Sequence, residues 1–186
     1  NYVLYELGQP LHAFDLDYLS GNKIIEKTAD ENSTFITLDS KERKLNKDIL
    51  MICDAEKPVA IAGIMGGENS EVKNSTKNIL IESAYFNPSS IRRTSKFLGL
   101  TTDASYRFER GTDPNITVFA AERAAELISN ICGGTVCDGI IDVYPNKIEN
   151  KEIVIRYSRT NKILGYTISK KEIKNILIDL QFEVKE

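Results

Sequence analysis

The stretch Asn78-Ile79-Leu80-Ile81-Glu82-Ser83-Ala84-Tyr85-Phe86-Asn87-Pro88 is where the chain changes its hydrophobic period. Before it, apolar residues come in short strand-like runs; after it they recur at the spacing of one helix face. Asn87 supplies an N-cap and Pro88 the first helical position, where its missing N–H costs nothing. Ile91, Thr94, Phe97 and Leu98 then share a face, Gly99 closes the helix, and Arg92, Arg93 and Lys96 are left to solvent.

Toward the N-terminus the strand-like pieces are Lys23 to Lys27, Thr34 to Leu38, Ile49 to Cys53, Val59 to Ile64 and Asn78 to Ser83. Turns such as Asp39-Ser40 and Asp54 to Pro58 separate them, the spacing of a compact sheet. Asn1 to Leu7 reads as the end of a helix stopped by Gly8, with Pro10 just beyond. A first residue other than Met suggests a piece excised from a longer chain.

Toward the C-terminus, Leu100 to Gly111 reads as a polar loop. A second helix is expected from Asp113-Pro114 through Val118, Ala121, Ala124, Ala125, Ile128 and Ile131 to Gly133-Gly134, and Thr135 to Val143 as a returning strand. The expectation is therefore an α+β fold: a mixed or antiparallel sheet, or a barrel-like core, covered by helices. Tyr144 to Lys151 has linker composition, which divides the chain into residues 1–150 and 151–186. In the second part Ile153 to Tyr157 is strand-like, Ser158 can cap a helix ended by Gly165, and Ser169 with Glu172 forms a capping box. These 36 residues are too few for a core of their own and read as the opening of a further small domain.

Composition excludes several classes. The longest apolar runs fall far short of the roughly 20 residues of a membrane span, and with no leader pattern a cytoplasmic address is expected. Cys53, Cys132 and Cys137 form no CxxC pair and are expected as buried thiols. One histidine, His12, and no HExxH pattern argue against a transition-metal site. The formal charge of −3 is uneven, +3 for residues 151–186 and −6 for residues 1–150. The larger part can meet RNA only through a local patch.

Four stretches carry candidate chemistry. His12, in Leu7 to Asp15, is either a hydrogen-bonded structural histidine or a catalyst. Ala62-Gly63-Ile64-Met65-Gly66-Gly67 ends a strand in small residues, giving either a tight turn or a backbone that a ligand can approach closely. Glu82 interrupts a buried-type run, so its carboxylate needs an internal cation, Arg107 or Arg110, or a donor on a ligand. Thr101 to Gly111 mixes hydroxyls and charges without the spacing of a nucleophilic triad.

These same stretches, NYVLYELGQPLHAFDLD (1–17), AGIMGGENSEV (62–72), NILIESAYFNPSSIRRTSKFLGL (78–100) and TDASYRFERGTDPN (102–115), closely resemble the beta subunit of bacterial phenylalanyl-tRNA synthetases. The resemblance implies an editing domain that hydrolyses tyrosine from mischarged tRNA(Phe). It also implies that residues 151–186 open a small helical, winged-helix-like domain. A pocket made for phenylalanine rejects an analogue that adds a hydroxyl only about a hundredfold, whereas a site that requires the hydroxyl discriminates by roughly 10⁴ or more.

Carried onto this chain, the family's phenol-binding glutamate matches Glu82 and its glycine turn matches Gly66 and Gly67. Its small-residue wall matches Thr102 and Ala104, His12 matches the histidine near the ester, and Asn1 an asparagine beside it. Asp103 stands where the family commonly has glutamate. Backbone amides near Gly66 and Gly67 are expected to stabilise the oxyanion. The resemblance further implies the tRNA(Phe) acceptor end and an alpha subunit as partners, in an alpha2beta2 heterotetramer. It implies no cofactor in this piece, with ATP and Mg²⁺ serving the synthetic site of the whole enzyme. The alternatives are a non-catalytic module that holds tRNA or a subunit, and a deacylase acting in trans.

Overall fold

The computed structural model describes residues 1–185, in two compact units, Asn1–Val143 and Tyr144–Glu186. In the first unit a short helix α1 (Tyr2–Leu7) ends where Gly8 turns left-handed (φ 73°), and eight strands follow. They are β1 (Leu11–Asp15), β2 (Ile25–Thr28), β3 (Thr34–Ile36), β4 (Glu42–Lys44), β5 (Leu50–Cys53), β6 (Pro58–Ile61), β7 (Met65–Gly66) and β8 (Ile79–Ser83). Three helices close the unit: α2 (Pro88–Leu98), α3 (Asp103–Phe108) and α4 (Thr117–Cys132).

The fold is α+β, as the change of period implies. Among the described residues every ladder is antiparallel, and the strands form three separate sheets, β2-β5-β6-β7, β1-β8 and β3-β4, with no closed barrel. The expected strand Val59 to Ile64 stops at Ile61, because the Ile64 N–H turns back onto the Ile61 carbonyl (3.0 Å) and the chain returns as β7. Phe14, Val59, Ile61 and Ile91 fill the main core, joined by Phe86 and Phe108, whose rings meet edge to face at 5.0 Å. Each such fully buried side chain contributes about 1.5–3 kcal/mol. Val3, Ala120 and Ala124 form a smaller cluster between α1 and α4, beside Ile81 of β8.

Local capping chemistry sets the helix ends. The Asn87 side chain accepts from the Ser89 and Ser90 N–H groups, and Gly99 ends α2 in the left-handed region. Phe97, expected on the inner face of α2, is instead exposed. The expected loop at 101–111 contains α3, held by a reciprocal box: Thr102 accepts from the Ser105 N–H and the Ser105 hydroxyl accepts from the Thr102 N–H. α4 starts three residues beyond Pro114, because the Asp113 side chain binds the Asn115 N–H and holds that segment in a turn.

The returning strand expected at Thr135 to Val143 is absent, as is one at Ile153 to Tyr157. Neither segment finds a ladder partner among the described residues, and Ile141 and Val154 are almost fully exposed. The second unit contains α5 (Tyr157–Leu164) and α6 (Lys170–Asp179). α5 begins one residue before Ser158 and ends at Gly165, and Ser169 caps α6 through the Glu172 N–H. The Asn161 side chain fastens the loop between them by two bonds to the backbone of Ile168. Cys53 is buried as expected, whereas Cys132 and Cys137 are exposed free thiols. Among the described residues no helix is long and apolar enough to cross a membrane.

Candidate functional site

The two-stranded sheet β1-β8 joins segments about seventy residues apart, with His12 directly opposite Glu82. Opposed residues of an antiparallel pair project to the same face. The two side chains therefore reach one cleft of about 60 Å³, lined also by Gly63, Gly66, Ala104 and Phe108. That is room for about four to six waters, at roughly 10–15 Å³ for each. A larger depression of about 440 Å³, beside Phe35 and Asn69, contains only Glu68 as a titratable lining group. Chemistry concentrates in the smaller space.

Among the described residues the half-buried Glu82 carboxyl has no hydrogen-bond or ion-pair partner. The two arginines that could have satisfied it internally are engaged elsewhere. Arg107 pairs with Asp103 (3.6 Å) and lies over the Tyr5 ring; Arg110 pairs with Glu109 (2.6 Å) and stacks on Tyr106. Burial, with a smaller push from the Glu26 charge, raises the Glu82 carboxyl from 4.5 to about 7. Near neutrality it can therefore either donate or accept a hydrogen bond.

His12 has the complementary state. Burial lowers its pKa below the usual 6.5, so the ring stays neutral. Its Nε2 is buried without a partner, and the ring meets Phe14 edge to face at 4.4 Å. The Cε1–Nε2 edge lies over Gly66: a Cβ there would sit 2.4 Å from Cε1 and 2.7 Å from Nε2. Gly66 has no positive φ, so the glycine is required by this close approach and not by backbone strain.

The remaining expected residues divide. Ala104 lines the cleft. Thr102 does not, but its hydroxyl donates to the Ile64 carbonyl (2.9 Å), tying the start of α3 to the β6–β7 turn and so setting Ala104 in the wall. Gly67 also lies outside the lining; a Cβ there would strike Phe35 at 2.5 Å. Its N–H already donates to the Val59 carbonyl (2.8 Å), which removes it as the oxyanion donor expected from sequence. Asn1 is exposed at the head of α1, outside the cleft lining.

One residue with a part in the site's geometry was not singled out from sequence. Gln9 is fully buried, and its side-chain amide donates to the carbonyls of Pro10 (3.1 Å) and Ala84 (2.8 Å). It links the approach to β1 with the exit of β8, two residues beyond Glu82. The only local signal was a long polar side chain between Gly8 and Pro10. Among the described residues no cluster of three His, Cys, Asp or Glu could hold a metal ion.

A neutral imidazole and an unpartnered carboxyl on one wall, with a glycine leaving space beside them, suit the binding of a small polar group and the movement of a proton. Comparison with known proteins narrows the chemistry. A family pattern described as B3/4 domain matches residues 1–133. The chain is 51% identical over 185 residues to the phenylalanine–tRNA ligase beta subunit of Salinibacter ruber, covering 100% of this chain and 22% of that protein. It is 53% identical to that of Geobacter metallireducens (99% of this chain, 23% of that protein) and 52% identical to that of Syntrophus aciditrophicus (99% and 23%). The chain thus spans under a quarter of the length of these relatives.

Proposed function

We propose, since the chain belongs to the B3/4 domain family, that its cleft hydrolyses the ester of tyrosine mischarged onto tRNA(Phe), as the editing part of a phenylalanine–tRNA ligase beta subunit. The observation that carries this reading is the Glu82 carboxyl, which shares a cleft with His12 and has no partner among the described residues. The phenol of tyrosine is a donor that would satisfy it. Phenylalanine would cover it without offering a donor, a loss of about 1–3 kcal/mol for a neutral carboxyl and more for a charged one, which disfavours the correct amino acid.

In this reading water attacks the ester carbonyl, the bond to the ribose oxygen breaks, and that oxygen takes up a proton. Tyrosine and intact tRNA are the products. His12, neutral and with a free Nε2, positions the water or the ribose hydroxyl and can accept the water's proton. Gly66 keeps the space beside the ring open, and Ala104 adds a small residue to the cleft wall. ATP and Mg²⁺ belong, under the same reading, to synthesis elsewhere in an alpha2beta2 assembly with the alpha subunit.

The test is deacylation of tyrosyl-tRNA(Phe) by the intact two-subunit enzyme carrying Glu82→Ala. We expect deacylation to fall about a hundredfold or more while phenylalanylation is retained. Unchanged deacylation would remove Glu82 from the mechanism and leave the alternatives, a non-catalytic module or a site elsewhere.

A further inference from the structure

Residues 1–143 contain six arginines and carry a net charge of −6. In so acidic a unit an exposed cation has carboxylates to draw on, and four of the six use them. Arg43 pairs with Asp39 at 2.6 Å, Arg107 with Asp103, Arg110 with Glu109, and Arg123 with Glu6 and Glu126 at 3.0 and 2.9 Å. Arg92 and Arg93 are the exceptions. Both are exposed on α2, as is Lys96 one turn later, and among the described residues none of the three pairs with a carboxylate. α2 itself contains no Asp or Glu.

The helix has a fixed relation to the cleft. Ile91, Thr94 and Ser95 are its buried face. Ile91 reaches Gly63 in the cleft wall, where a Cβ would lie 2.8 Å from its Cδ1. Arg92, Arg93 and Lys96 project from the other side, about one helix diameter, 10–12 Å, behind that wall. Among the described residues, other exposed lysines without an ion pair, such as Lys27 and Lys44, stand on strands that also carry Glu26 and Glu42, whereas α2 carries cations alone. Such a face attracts a polyanion more strongly than a mixed one and so fixes orientation as well as affinity.

We propose that this face of α2, through Arg92, Arg93 and Lys96, holds the phosphate backbone of the RNA whose 3′ end enters the cleft. The partner is RNA because of the reading of the cleft given above, on which this proposal rests. The contacts are to phosphate, so they fix position and carry no base specificity.

The experiment measures binding without hydrolysis. The chain is titrated with a fluorescent, uncharged transcript of phenylalanine tRNA across a range of salt concentrations. The wild type is compared with the triple variant Arg92→Gln, Arg93→Gln, Lys96→Gln and with a charge-matched control, Lys23→Gln, Lys27→Gln, Lys44→Gln, which neutralises three exposed lysines on or beside β2 and β4. Each phosphate contact contributes about 0.7–0.9 to the slope of log affinity against log salt, so the α2 variant should lose about 2 units of slope and the control about none. All six positions are exposed, and unchanged melting temperatures show that folding is intact. Equal loss in both variants, loss in neither, or no binding even at low salt overturns the proposal. So does competition by polyglutamate as effective as competition by RNA, because that marks a general anion surface. A slope change without any deacylation leaves this surface standing while the function proposed for the cleft falls.

Discussion

Two carboxylates of this chain show how differently a fold can treat the same chemical group. Asp54 sits at the end of β5 with its side chain fully covered. Burial alone would raise its pKa, but the Lys57 ammonium (2.8 Å) and the N–H groups of Glu56, Ser20 and Lys57 all bind it and hold it far below the ordinary carboxylate range. Glu82 is half-buried with no protein donor to its carboxyl among the described residues, and desolvation pushes its pKa up to about 7. Asp54 is a structural group whose partners are all internal. The Glu82 carboxyl has no internal donor among the described residues and faces the cleft.

The largest expected break in this contrast is Asp54→Ala. It leaves three N–H groups without their acceptor, while the Lys57 ammonium keeps only the Tyr18 carbonyl, and we expect a loss of about 3–5 kcal/mol in urea unfolding near neutral pH. Retained stability would mean that the turn after β5 is held by packing alone.

Glu82→Gln should act in the opposite direction and depend on pH. The folded pKa of Glu82 is raised, so its contribution to stability is full below about 4.5 and is lost as pH rises through about 7. The amide does not titrate. The variant should therefore match the wild type near pH 4.5 and exceed it at pH 8 by on the order of 2 kcal/mol. Parallel stability curves across that range would show that Glu82 is partnered after all.

The smallest effect is expected at Gln9. Gln9→Met keeps the volume but leaves the Ala84 carbonyl without its donor, at a cost of about 1 kcal/mol, with faster amide exchange along β1 and β8. Exchange confined to the turn at Gly8 would mean that the β1–β8 register does not depend on this side chain.

The legibility of the sequence followed the range of the interactions. α2 was readable end to end, because Asn87, Pro88 and Gly99 act on backbone groups within a few residues of themselves. α3 was not: its six residues carry almost no periodic pattern, and its box uses serine at the third helical position in place of glutamate or glutamine. Thr135 to Val143 alternates well enough to look like a strand, but alternation does not supply a ladder partner. Glu82, His12, Gly66 and Ala104 could all be named from sequence. That Glu82 avoids Arg107 and Arg110 could not, because those arginines have nearer partners in Asp103 and Glu109.

By itself the sequence determined where helices cap, where strands give way to helices, and that one carboxylate stands in an apolar run. These are consequences of bonds and burial over a few residues. Only the tertiary structure decided that His12 and Glu82 face each other, that Gly67 is held by Val59 and Phe35, and that Arg92 and Arg93 are left unpaired. The physical reason is range: a ladder between segments seventy residues apart is fixed by the whole set of cross-strand and packing contacts, and a slip of one residue in β1 would turn His12 to the face opposite Glu82.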